Sequence, residues 1–241
     1  MPEVQLRFGA VDAAQVEAAL LGAPEQRGLL SPLIDRMRSS DRPKWPEVAV
    51  TAQAESLLLG PATLQKPTVR LRLKGGEIDL EDWEAGLLDG SVKGTGHFAW
   101  AGNKPDYSLD GNFTRVNAAA LGAMLNTRWA GGLLNGSGSI HLTGLTAKEF
   151  ADSASGQLKF DWTHGVLSIA AQEVRFDAWS GTVAIQGGKA LLDENAMLAG
   201  RRSSVVKGGL AFGGPVKLSV APSDGKLVAH AGQAVPLPAV K

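Results

Sequence analysis

Two periods of apolar residues divide the chain. Before residue 47 the spacing is that of helices; from Val48 onward it is two. Val4-Gln5-Leu6-Arg7-Phe8 already alternates like a strand. Asp12 and Gln15 then form a capping-box-like start, followed by Val16, Ala19 and Leu20 at helical spacing. Ser31-Pro32 supplies a cap and a first-turn proline, and Leu30, Leu33, Ile34 and Met37 make one stripe. Helices are therefore expected within residues 12–38. Further on, Val69, Leu71 and Leu73 alternate with Arg70, Arg72 and Lys74. Gly75-Gly76 turns the chain, and Ile78 and Leu80 alternate with Glu77, Asp79 and Glu81. That is a hairpin with a basic strand facing an acidic one, each cross-strand pair worth ~0.2–1 kcal/mol.

The pattern continues. Val92, Phe98 and Trp100 share a parity, as do Leu109 and Phe113. Asn117 then caps a helix expected to reach residue 129, with Leu121, Met124, Leu125 and Trp129 on one stripe. Strands resume at Ile140 and Leu142. Thr146 to Glu149 opens a short helix, and Leu158, Phe160 and Trp162 return to period two. Val174 with Phe176 and Val183 with Ile185 follow. Four more strand candidates are marked by Leu191 and Leu192, Val205 and Val206, Leu210 and Phe212, and Leu218 and Val220. The stretch after Pro222 reads as a last strand or a loose tail.

Nearly every strand is apolar on one side only, and such a face must be covered. Three or four short helices cannot cover some twelve strands, about 55 Å of sheet at ~4.8 Å per strand. Either the sheet curls or pairs with another, as in a closed β-sandwich, or a non-protein apolar partner fills the space. The expected class is mainly β: a long curled antiparallel sheet, an open groove or partial barrel, with a few short capping helices. The expected organisation is a strand and helical segment over residues 1–47, the β-groove over 48–221, and a strand or tail over 222–241.

Composition narrows the function. Lys and Arg total 24, Asp and Glu total 24, so no basic footprint for nucleic acid exists. Cysteine is absent, which removes disulfides and thiolate chemistry. Gly at 30 of 241 residues fits many turns. No run reaches the ~18 apolar residues of a membrane span, and no signal peptide opens the chain; it reads as the soluble part of a longer protein. His97, His141, His164 and His230 have no metal-ligand spacing. His97 and His141 fall on polar faces, where a solvated role is expected. The carboxylates Glu77, Asp79 and Glu81 read as one solvated face rather than a glycosidase pair. No catalytic residue, metal or cofactor is expected.

The order of the pieces resembles the AsmA family. Val69 to Gly94, reading VRLRLKGGEIDLEDWEAGLLDGSVKG, looks like its core, with Asp89 where a glycine is common. Asp110-Gly-Asn-Phe113 leads to the helix at Asn117. Gly136-Ser-Gly-Ser-Ile-His-Leu-Thr-Gly144 follows, then Ser155-Gly-Gln-Leu158, His164-Gly-Val-Leu167, Val174-Arg-Phe-Asp177, Gly188-Lys-Ala190 and Gly208-Gly-Leu210. The resemblance spans roughly residues 48 to 220, and the helical segment at 12–38 is similar to one that precedes this core in the family.

The resemblance implies a non-enzymatic bacterial lipid carrier, moving phospholipid between inner and outer membranes and serving outer-membrane biogenesis. It implies a periplasmic location and inner-membrane anchoring in a longer parent. Phospholipid acyl chains would be the partner, the two membranes being reached through that parent. A module supporting outer-membrane protein assembly without lipid is the alternative, and a carbohydrate-active β enzyme a weaker one. The residues expected to line a lipid groove share the apolar parity of their strands. In the first half they are Val69, Leu71, Leu73, Ile78, Leu80, Val92, Phe98 and Trp100. In the second they are Leu109, Phe113, Ile140, Leu142, Leu158, Phe160 and Trp162.

Overall fold

The computed structural model describes residues 2–12, 46–59, 62–101, 104–124, 127–144, 147–169, 172–211, 215–222 and 235–236. The chain is mainly β. The strands are β1 (Glu3–Asp12), β2 (Val48–Leu59), β3 (Ala62–Lys74), β4 (Glu77–Leu87), β5 (Gly90–Ala101), β6 (Lys104–Asn117) and β7 (Trp129–Ala130). Then come β8 (Leu133–Thr143), β9 (Ser155–Ile169), β10 (Gln172–Gln186), β11 (Lys189–Ala199), β12 (Arg202–Ala211), β13 (Pro215–Pro222) and β14 (Val235–Pro236). Two helices, α1 (Ala118–Met124) and α2 (Ala147–Ser153), interrupt them. Strand order follows chain order from β1 to β14, with β7 set aside on β9, so the path has two ends and no closed barrel forms among the described residues.

Four expectations need correction or completion. β1 pairs with β2 in parallel, so the sheet is mixed rather than wholly antiparallel. Parallel neighbours need a long connection between them; the residues between β1 and β2, and with them the helices expected within 12–38, lie outside the described residues. The helix after Asn117 ends at Met124, not 129. Thr127 closes it, donating its backbone N–H and its hydroxyl to the Gly122 carbonyl (2.8 and 3.2 Å). Trp129 then starts a strand instead of a further turn, its Cβ lying where a Cβ on Gly122 would stand. Finally, Val205, Val206 and Leu210 lie on one strand, β12, not two.

Two compact units divide the chain: residues 1–87 with 93–108, and residues 88–92 with 109–241. In the first, cross-strand partners build rows. Val4, Val50, Leu71 and Leu80 follow one another across β1 to β4, beside Leu6, Ala52, Val69 and Trp83. A β-bulge makes the second row possible. Leu71 faces Leu80 but Arg70 faces Asp82, so Glu81 is extra and Trp83 changes parity onto the apolar side. On the polar side Arg72 pairs with Glu81, and His97 Nδ1 lies 2.6 Å from Asp79 Oδ1. His97, expected on a solvated polar face, keeps its side chain 42% exposed there and has a carboxylate partner one strand away.

In the second unit the polar hub is Asn117. Its Oδ1 accepts from the N–H groups of Ala119 and Ala120 (3.1 Å each), capping α1. Its own N–H donates to the Leu88 carbonyl and its Nδ2 to Asp89 Oδ2. Leu88 and Asp89 form the tight β4–β5 turn with φ of 47° and 65°. Both values are left-handed, as a two-residue type I′ hairpin requires, and a leucine there is costly. Asn117 holds that turn and the helix start with one side chain.

Candidate functional site

The apolar face of the second unit is built from aligned rows. Leu134 faces Trp162, Trp162 faces Trp179, and Trp179 faces Met197. Gly136, Phe160 and Gly181 make the next row, and the one after it is Gly138, Leu158, Val183, Leu192, Gly208 and Leu218. The pairing of β9 with β10 omits His164 and Asp177 together, and His164 has φ of 55°. Along β9 the inward parity changes there, from Leu158, Phe160 and Trp162 to Gly165 and Leu167. Along β10 it changes from Val174 and Phe176 to Trp179 and Val183. The aromatic rings gather at this kink. Trp162 meets Phe176 edge-on at 5.0 Å between centroids, Phe160 meets Trp179 likewise, and Trp129 stands 5.3 Å from Trp162. Such pairs add roughly 0.5–1.5 kcal/mol beyond the area they bury.

Glycine makes room for the rings. A Cβ on Gly165 would lie 2.3 Å from the tip of Phe176 and 2.5 Å from the Trp162 indole. Trp162, 1% exposed, is among the most buried side chains of the cluster, and its Nε1 donates to the Gly131 carbonyl at 3.1 Å. The Trp179 Nε1 donates to Asn195 Oδ1 (3.3 Å). Asn195 sits in a β11 bulge and replaces a missing ladder pair: its amide donates to the Val206 carbonyl and accepts from the Val206 N–H.

Above this floor lies an apolar chamber of about 210 Å³. Phe113, Leu158, Phe160 and Trp179 line it from the sheet, with Leu192 and Leu218 further along. Leu121 of α1 and Trp129 of β7 wall it from the inserted segment. The chamber is partly open to solvent, and apart from the Thr127 hydroxyl and the indole N–H groups its walls are hydrocarbon and aromatic, so an apolar guest gains by leaving water there. No charged side chain among the described residues lines it.

The residues singled out from the sequence fall in several places. Phe113, Leu158, Phe160 and Trp162 line the chamber. Val92 is buried at the start of β5, while Ile140 and Leu142 are half-buried on β8 and Leu109 is exposed on β6. Val69, Leu71, Leu73, Ile78 and Leu80 form the half-buried rows of the first unit. Phe98 there packs its ring 5.1 Å from Tyr107. Trp100 lies on β5, and its side chain is outside those described. Sequence reasoning did not place Leu121, Trp129, Trp179, Val183, Leu192 or Leu218 at a site. A kink that changes parity on two strands at once hides Trp179, and an inserted helix hides Leu121.

Among the described residues no three His, Asp or Glu side chains gather as a metal site, and no helix is long and apolar enough to cross a membrane. An open, mainly β sheet with an apolar chamber on one face defines the class of protein. The model of the AsmA family matches residues 30–189, and the chain belongs to that family. Neither a curated protein nor a solved structure matches it.

Proposed function

We propose that this chain is a non-enzymatic lipid-handling β segment that shelters phospholipid acyl chains in transit between inner and outer membranes. In this reading it acts in the periplasm, held at the inner membrane through a longer parent, and serves outer-membrane biogenesis. The observation that carries it is the chamber: a partly open, apolar-walled space of about 210 Å³ built on one face of an open sheet. Membership of the AsmA family supports the same reading. A photoreactive residue in place of Leu158 tests it in cells. Crosslinked phospholipid is the expected product. Capture of protein alone, with no lipid, would reject lipid carriage in favour of an assembly role.

A further inference from the structure

We infer that the chamber takes the methyl end of one unbranched hydrocarbon chain, to a depth of about eight carbons, and touches no headgroup. This rests on the lipid reading above and sharpens it. Three observations carry it. The volume, about 210 Å³, exceeds the ~150 Å³ of an apolar cavity that holds benzene; by proportion it holds roughly eight carbons. Two acyl chains side by side do not fit in that space.

The second observation is the fate of the polar groups on the wall. The Thr127 hydroxyl donates to the Gly122 carbonyl, the Trp162 indole to the Gly131 carbonyl, and the Trp179 indole to Asn195. A phosphate or glycerol ester brought here would lose water and gain none of these donors, a costly exchange. A hydrocarbon end loses nothing. The third is the wall itself. Leu121 stands on α1, outside the strand ladder, and faces the same space as Leu218 of β13. The guest is thus walled by the sheet on one side and by α1 and Trp129 on the other, and the length over which both walls are present sets the depth to which a chain is held.

The test uses purified protein and 1-alkanols from butanol to dodecanol, with binding followed by tryptophan fluorescence. Each added methylene should tighten binding about fourfold until the chamber is full. Near eight carbons the gain should stop. Leu192→Ala enlarges the chamber and should move that break roughly three carbons later, by the same volume proportion. Val183→Phe narrows it and should move the break earlier. A bromine at the methyl end of dodecanol should quench more tryptophan emission than one beside the hydroxyl. Gains that continue smoothly to dodecanol would overturn the inference, as would a break that neither variant moves or a reversed quenching order. The outcome is separable from that of the lipid reading. Phospholipid captured at position 158 without a break leaves transport standing and removes the depth limit. A break without captured phospholipid does the opposite.

Discussion

The two units share one alternating pattern and bury it differently. Among the described residues, Ala85 and Pro105 are the buried apolar side chains of the first unit, against twelve in the second. On β1 of the first unit Val4, Leu6 and Phe8 stay 40–49% exposed. The difference lies in residue type and in breaks of the ladder. The first unit's rows are aliphatic apart from Trp83, and its charged side carries ion pairs. The second unit sets five large rings around a paired kink, with glycines beneath them. Period two alone gives a one-faced sheet. Enclosing a space takes the kink, the rings and the α1 insertion together.

The sharpest way to break this comparison is to truncate matched positions. Trp162→Ala should cost about 3–5 kcal/mol, since the ring is fully buried and touches Trp129, Phe176 and Trp179. Leu71→Ala, in a half-buried row, should cost about 1 kcal/mol, nearer the per-methylene value than a cavity. Urea unfolding of both variants measures the gap. Equal losses would mean that the first unit also holds a tight core.

A charge is the next probe. Phe160→Asp places a carboxylate among apolar walls, where it should cost more than the ~1–3 kcal/mol of an unpaired neutral polar group, and it should also abolish lipid crosslinking at position 158. Phe98→Asp, in the half-buried first unit, should cost less and leave crosslinking at 158 intact. Loss of that capture by Phe98→Asp would tie the two faces into one binding surface.

Strand parity was legible in the sequence because it follows directly from the pleat. The basic and acidic strands around Gly75-Gly76, and the apolar set from Leu158 to Trp162, needed no tertiary information. The bulge at Glu81 was not legible, because an extra residue in one strand looks like ordinary sequence until the partner is known. Nor was the role of Asn195, which reads as a polar interruption but stands in for a backbone pair. The wall of the chamber made by α1 and Trp129 was hidden for a related reason: they reach it through a chain reversal set by Thr127, not through any period. The parallel β1–β2 pair was equally silent, since parallel and antiparallel strands alternate alike.

Asn117 offers a smaller effect confined to the second unit. Asn117→Ala removes an N-cap and the side-chain bond to Asp89 of the turn, leaving the backbone bond to the Leu88 carbonyl, and should cost about 1–2 kcal/mol. Replacing Leu88 by glycine in that background should return part of the loss, because glycine adopts the left-handed turn without strain. If the glycine gives nothing back, the turn is not held by Asn117.

The smallest effect reads the first unit alone. Tyr107 is the chain's one tyrosine, so phenolate absorbance at alkaline pH reports a single site. Burial raises its pKa above the ordinary 10.0, and the ring of Phe98 lies 5.1 Å away. Because the folded chain holds the proton more tightly than the unfolded one, the contribution to stability is complete below pH 10. It is lost as pH rises through the raised value. Phe98→Ala admits water beside the phenol and should bring the absorbance midpoint back toward 10. Phe160→Ala, in the other unit, should leave it where it is. A midpoint moved by Phe160→Ala would show that the two units are coupled, and their separate burial could no longer be read as independent.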